Sequence, residues 1–350
     1  MIQTSLIFEE EILMKKPSIY TIAHEAGVST ATVSKVLNRQ GKISRDTTDR
    51  VMKIIKANNY VPRQRKTGGQ TIGILTFCHA RTPVSSPFTT QLLNGICLEA
   101  FAQKKNITLI DGNSMRDLSP EEIHCFAITN SLAGYLIINL PWEDPFQEKL
   151  QKSRIPFVLG ANNAPDKSEC SYVTTNNYDA VTDLVDYMIC LGHTRIAYVG
   201  LATTKFISHR ERLRAYGDIL KKHNIESRSE YVLDLPNADF GTIRNSLMRL
   251  LSRPNPPTAL FYASEELVKI FFVLKNLQIS VPEELSVAGM QMGQENFQPE
   301  ISAIIQPTEE IGRESVRILM HQIETGESRG YIFTNYIYYG ETVIKHQEEA

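Results

Sequence analysis

Between residues 17 and 60, apolar positions recur at helical spacing in three short bursts separated by cap and turn residues. Ser18 precedes a burst that puts Ile19, Ile22, Ala23 and Ala26 on one face, and Gly27 closes it. Glycine suits that place because it accepts the left-handed conformation of a sharp helix end. Ser29 opens a second burst with Val33, Val36 and Leu37 inward, closed by Asn38 and Gly41. Ser44 opens a third with Val51, Ile54 and Ile55 inward, stopped by Asn58 and Asn59. Three short helices with a tight glycine turn between the first two predict a helix-turn-helix unit.

From residue 71 the period changes to alternating strands and helices. Short apolar runs at 71–77, 107–111, 134–140 and 156–159 read as buried strands, with helical spacing at 88–104 and 121–129. A second series follows: helices at 178–190, 210–223, 243–251 and 265–276, and strands at 196–199, 231–233, 259–262 and 286–288. Two runs of βα units predict two doubly wound parallel-sheet subdomains with a ligand crevice. The boundaries expected are a disordered leader at 1–13, a headpiece at 14–62, a basic and glycine-containing linker at 63–70, and a core at 71–342. Within the core, the N-subdomain is expected at 71–170 and 304–326, and the C-subdomain at 171–303 and 327–345.

The charge distribution sharpens this division. The chain of 350 residues carries a net −2, yet residues 14–66 hold twelve Lys and Arg against three acids, a net +9 that leaves −11 for the remainder. A small basic module on an acidic body is the electrostatic footprint of a nucleic-acid binder. The five cysteines (Cys78, Cys97, Cys125, Cys170 and Cys190) are scattered without metal-ligand or redox spacing. Such a set fits reduced thiols and a cytoplasmic protein, with neither metal nor cofactor expected. No run approaches the roughly 20 apolar residues of a membrane span, and the start lacks the pattern of a signal peptide.

The second predicted helix carries the most specific chemistry. Its outward residues are Thr30, Ala31, Thr32, Ser34, Lys35 and Asn38, small or short polar groups with one long cation and no acid. Such a face brings a helix axis close to base edges: hydroxyls donate or accept, methyls touch thymine, and Lys35 reaches guanine. An ordinary solvated helix would carry Glu–Lys pairs instead. The run from Ile19 to Asn38, continued by Ile43-Ser44, Thr47 and Asn59-Tyr60-Val61-Pro62, resembles the headpiece of the lactose-repressor (LacI/GalR) family. The resemblance implies that Tyr20, Ser29, Thr30, Ala31, Thr32, Ser34, Lys35, Asn38 and Tyr60 contact bases or phosphates. Ser18, Lys42, Arg63 and Arg65 complete the expected DNA-facing set. Family headpieces begin with Met and basic residues, as Met14-Lys15-Lys16 does, so residues 1–13 are expected to be dispensable for operator binding.

The resemblance extends over residues 15–342, through Ser86-Pro87-Phe88, 134–139, 173–178, 191–196, 257–261, 281–287 and Gln306-Pro307. It implies an α/β core like periplasmic sugar-binding proteins beneath the all-α headpiece, with a sugar effector and a homodimer. Two departures stand out. Between Pro62 and Ile72 the family's hinge helix, with its minor-groove Leu, has little room, and Gly68-Gly69 oppose it; a looser coupling of head to body follows. In the cleft, Arg212 matches the family's effector-binding Arg, but Ser264 and Glu265 stand where Asn and Asp are usual, and Gln291 where a later Asp is expected. Trp142 and Glu143 are candidates to supply a stacking platform and a carboxylate from the other subdomain, although Trp142 equally suits a core. The altered clamps imply a different sugar, a sugar phosphate held by Arg212 with Arg210, or control by a protein partner. His193, at a helix-to-strand turn, reads as structural.

Three function classes compete on these residues. A DNA-binding, effector-controlled repressor of carbohydrate-utilisation genes, acting on a palindromic operator, accounts for both halves. A solute-binding protein without DNA function would lack the basic headpiece and would carry a signal peptide. An enzyme is disfavoured by the absence of a G-x-S-x-G elbow, a metal-ligand cluster or a nucleotide-binding glycine loop.

Overall fold

The computed structural model describes residues 18–37, 43–58, 60, 69–77, 86–162, 170–235, 239–264, 267–291 and 298–346. The leader, most of the linker, and Asn38, Lys42, Arg63, Arg65 and Glu265 lie outside the described residues, and with them the expectation about a hinge helix.

The headpiece contains α1 (Ile19–Ala26), α2 (Thr30–Leu37) and α3 (Arg45–Ala57). Each start is fixed by a serine hydroxyl that accepts from a backbone N–H three residues on: Ser18 from Thr21, Ser29 from Thr32 and Ser44 from Thr47. Gly27 adopts φ +62 with open space where a Cβ would stand, so backbone conformation alone calls for glycine there. Ile22, Ala23, Ala26, Val33, Val36, Val51 and Ile55 form the core.

The body is two six-stranded sheets. The first contains β1 (Thr71–Thr76), β2 (Asn106–Asp111), β3 (Leu132–Ile138), β4 (Phe157–Gly160), β5 (Ser171–Thr175) and β11 (Gly330–Phe333), ordered β11-β5-β4-β3-β1-β2 and parallel throughout. Period-two alternation divides its side chains. Ile72, Ile74, Leu136, Ile138 and Val158 pack beneath α4 (Pro87–Ala102) and α11 (Thr308–Thr325). Leu75, Tyr135, Ile137, Phe157 and Leu159 pack beneath α5 (Pro120–Thr129) and α6 (Pro145–Ser153). The helix α6 escaped the sequence reading, although Asp144 before Pro145 is a start signal: its carboxylate accepts from the N–H of Phe146.

The second sheet contains β6 (Ile196–Gly200), β7 (Val232–Asp234), β8 (Ala259–Tyr262), β9 (Ser286–Gln291), β10 (Ser302–Ile305) and β12 (Tyr336–Tyr338), in the order β12-β10-β9-β8-β6-β7. Only β12 runs antiparallel to its neighbour among these pairs. The helices α7 (Asn177–Cys190), α8 (Ile207–Lys222), α9 (Phe240–Leu251) and α10 (Leu267–Asn276) cover it. The expected subdomain boundaries need correction: residues 171–175 and 330–333 complete the first sheet, and 304–305 belong to the second. The chain crosses between sheets only after a strand has finished pairing, so the crossings fall at 176, 306–307 and 334–335 rather than in the loops where composition changes.

Gly69, read as flexible linker, is instead pressed against the chain at the start of β3. A Cβ there would lie 2.5 Å from the Ser131 carbonyl oxygen, and the Gly69 carbonyl accepts from Lys105 Nζ at 3.2 Å. His193 is structural, as its place at the turn suggests. Its Nδ1 faces the Thr258 hydroxyl at 3.0 Å, and its Nε2 meets the Ile344 carbonyl at 3.0 Å, which requires Nε2 to donate. The ring thereby ties the chain end to the second sheet.

Candidate DNA interface and interdomain cleft

On the headpiece, α2 presents Ala31 and Lys35 to solvent, with Thr30, Thr32 and Ser34 half-buried beside them. Ser18 and Ser29 are exposed, and Tyr20, at 75% exposure, stands out from α1. Asn58, the cap of α3, donates to Glu25 of α1 at 2.6 Å, so α3 is tied to the helix that precedes the reading helix. The described members of the expected DNA-facing set are exposed or half-buried, with one exception. Tyr60 is only 7% exposed, its ring packed into the headpiece core.

The cleft lies where the carboxyl ends of both sheets meet the three crossings, the usual crevice of doubly wound folds. Trp142 and Glu143 follow β3, half-buried and exposed respectively, and Glu143 is in the left-handed region at φ +57. The backbone N–H of Trp142 donates to the Lys205 carbonyl of the second subdomain at 2.7 Å, so the two lips touch. Ser264 and Gln291 extend from neighbouring strands, since Tyr262 pairs with Gly289 two residues earlier on each. Gln291 is buried and Ser264 half-buried.

Arg212 on α8 is 2% exposed. Its Nε donates to Asn177 Oδ1 at 3.0 Å, one terminal nitrogen to the Ala263 carbonyl at 2.7 Å, and the other to Gln306 Oε1 at 3.4 Å. Gln306 in turn donates to Thr175 Oγ1 at 3.0 Å and Asn177 Oδ1 at 3.3 Å. The guanidinium thus gathers two of the three crossings. The third is tied alongside, where the backbone N–H of Asn335 donates to Asn176 Oδ1 at 2.8 Å. Asn177, Gln306 and Thr175 had drawn no role from sequence; the Asn176-Asn177 pair at a strand-to-helix switch was the available signal. The pairing of Arg212 with Arg210 is also corrected. Two residues apart on a helix they diverge, and Arg210 lines a separate concavity with Lys205 and Arg214.

His209 lies one turn before Arg212 on the same face of α8, buried, with Nδ1 unpartnered among the described residues. Burial, with the Arg212 charge adding to it, pulls its pKa down to about 3. His193 is likewise lowered to about 4, chiefly by burial. Both rings are neutral when folded, whereas the unfolded chain protonates them near 6.5. Their stabilisation is complete above that value and is lost as pH falls toward 4 and then 3. Between pH 7.5 and 5 each histidine should cost about 2 kcal/mol of folding stability. Urea titrations at the two pH values check this, and His193→Gln should remove roughly half of the difference.

Comparison with known proteins agrees with both halves. Residues 18–63 match the family model described as bacterial regulatory proteins, lacI family, and residues 185–338 match that of a periplasmic binding protein-like domain. The transcriptional repressor CytR of Escherichia coli (strain K12) is 28% identical over 313 residues, 87% of this chain and 89% of that protein. The transcriptional regulator CelR of Thermobifida fusca is 26% identical over 326 residues, 90% and 94% of the respective chains. The solved structure of a CelR–cellobiose complex superposes with a TM-score of 0.67 at 25% identity, covering 93% of this chain and 99% of the other. With the headpiece matched over residues 18–63, the core matched over 185–338 and regulators of this kind aligned along most of the chain, the chain belongs to the LacI family of bacterial regulatory proteins and is a DNA-binding transcriptional regulator rather than an enzyme.

Proposed function

We propose that the chain is a cytoplasmic repressor of carbohydrate-utilisation genes that binds a near-palindromic operator as a homodimer and answers to a sugar-type effector in the cleft. The observation that carries this reading is the helix α2, which holds no acid and exposes Ala31 and Lys35, joined to a two-subdomain core in which two of the three crossings converge on Arg212. The bound cellobiose of the CelR structure supports a saccharide. Exposed apolar side chains support a dimer: Leu98, Phe101 and Leu109 on α4 and the edge strand β2, and Phe240, Met248 and Phe272 on α9 and α10. Two such patches on successive subdomains suit a self-complementary face.

Trp142, Glu143, Arg212, Ser264 and Gln291 are the proposed effector contacts, with Arg212 also setting the geometry of the crossings. Gel shifts on the promoter beside its own gene, over a salt series and with a panel of sugars and sugar phosphates, test the reading. A specific shift that weakens steeply with salt and responds to one sugar is expected. No specific shift at moderate salt defeats the operator reading, and a shift indifferent to every sugar and sugar phosphate defeats the effector reading. Lys35→Ala should weaken specific binding by about 1–3 kcal/mol, roughly 5- to 150-fold, without changing the helical content of the headpiece.

A further inference from the structure

The headpiece touches the core through a surface of its own. Its apolar cluster runs past Val36, Ile55 and Tyr60 into Cys125 of α5, which is 8% exposed. A cavity of about 260 Å³ is walled by Met52, Lys56 and Tyr60 on one side and by Glu121, Glu122 and Cys125 on the other. A second, of about 130 Å³, lies between Leu37 and Met52 of the headpiece and Leu118 and Phe126 of the core. The facing charges are opposite, lysines from α3 against glutamates in the first turn of α5. An apolar seam framed by complementary charge is the anatomy of a specific interface.

We propose that α5 is a docking surface for the chain's own headpiece, which seats on it through α3 and Tyr60 and keeps its reading face open. Tyr20, Ala31 and Lys35 stay exposed in the docked arrangement, so docking orients the headpiece without covering the residues that would read DNA. The seam also adjoins the cleft. Leu118 follows Arg116, whose guanidinium donates to both oxygens of Asp144 at 2.9 and 2.8 Å, two residues from Trp142. A direct seam of this kind couples head to body without relying on a hinge helix, and it replaces the looser coupling expected from the linker. The proposal goes beyond the effector reading and does not depend on it.

Cys125 reports on the seam. Burial and the nearby Glu122 and Glu121 raise its thiol pKa to about 11, which slows alkylation as long as the seam is closed. In the full chain without DNA, N-ethylmaleimide labelling resolved by peptide mass should modify Cys125 at least about tenfold more slowly than the exposed Cys190. Lys53→Glu/Lys56→Glu should speed Cys125 labelling about tenfold and leave the buried Cys170 protected; adding Glu121→Lys should slow it again. Met52→Gln, which weakens the apolar contact and leaves the charges in place, should also speed it. Labelling of Cys125 as fast as Cys190 in the parent chain overturns the proposal. So does a slow rate left unchanged by both the charge variant and Met52→Gln, because the shield would then belong to the core alone.

Discussion

A single methyl group at position 95 is expected to cost the first subdomain about 3 kcal/mol or more, because it has nowhere to go. In Gly95→Ala the new Cβ would stand 1.9 Å from the carbonyl oxygen of Glu309, and Gly312→Ala would place one 2.3 Å from that of Leu92. These two glycines mark where α4 and α11 cross backbone against backbone. A flexible side chain can swing away from an intruding methyl; a helix backbone cannot, so both helices must separate along a seam that also covers β1, β3 and β4. Overpacking relieved by side chains typically costs about 1–3 kcal/mol, and a backbone obstacle belongs at or above the top of that range. Gly217 of α8 supplies the opposite sign. Its Cβ would meet nothing within 4 Å, so Gly217→Ala should stabilise by about 0.5–1 kcal/mol through helix propensity alone. Urea unfolding of the three variants against the parent checks all of this. A Gly95→Ala protein as stable as the parent would mean that α4 and α11 do not cross at these residues.

The same contrast shows what the sequence made legible. The headpiece could be read almost residue by residue because its signals are local: Ser18, Ser29 and Ser44 each cap within three residues, and Gly27 marks its own conformation. The βα alternation was legible for a related reason, since each buried strand is a short apolar run. What could not be read depends on pairs distant in the chain. Gly95 and Gly312 announce nothing until the helices meet. The assignment of residues 330–333 to the first sheet rests on strand pairing with 172–175 across more than 150 residues, and the tie of Asn335 to Asn176 at the crossing spans a similar distance. Tyr60 drew a role through the resemblance alone, and the packing of Cys125, far along the chain, into its cluster left no local signal. Arg212 was found by resemblance, but its partners Asn177 and Gln306 were not, because hydrogen bonds between crossings leave no periodic trace.

Those partners lead to the second large effect. Arg212→Ala should destabilise the core by about 3–5 kcal/mol, the range seen when one member of a buried charged network is removed. The guanidinium is fully enclosed and serves Asn177, the Ala263 carbonyl and Gln306 together. Truncation leaves those three acceptors short of donors in a site closed to bulk water, and each such loss costs about 1–3 kcal/mol. Relief of the buried charge offsets part of this, which keeps the total below the sum. Arg212→Lys tests geometry separately from charge. An ammonium retains the positive charge but cannot span three acceptors held apart by a planar fork, so it should recover less than half of the loss. Urea titrations of both variants measure this directly. If Lys restores full stability, charge and not the fork holds the crossings. If Ala is neutral, the crossings are held by the Gln306 bonds to Thr175 and Asn177 and by the Asn335 bond to Asn176, without help from α8. Because the crossings are the only covalent route between the two described subdomains, a loosened Arg212 network should also weaken whatever response the cleft transmits to the headpiece, over and above its effect on effector affinity.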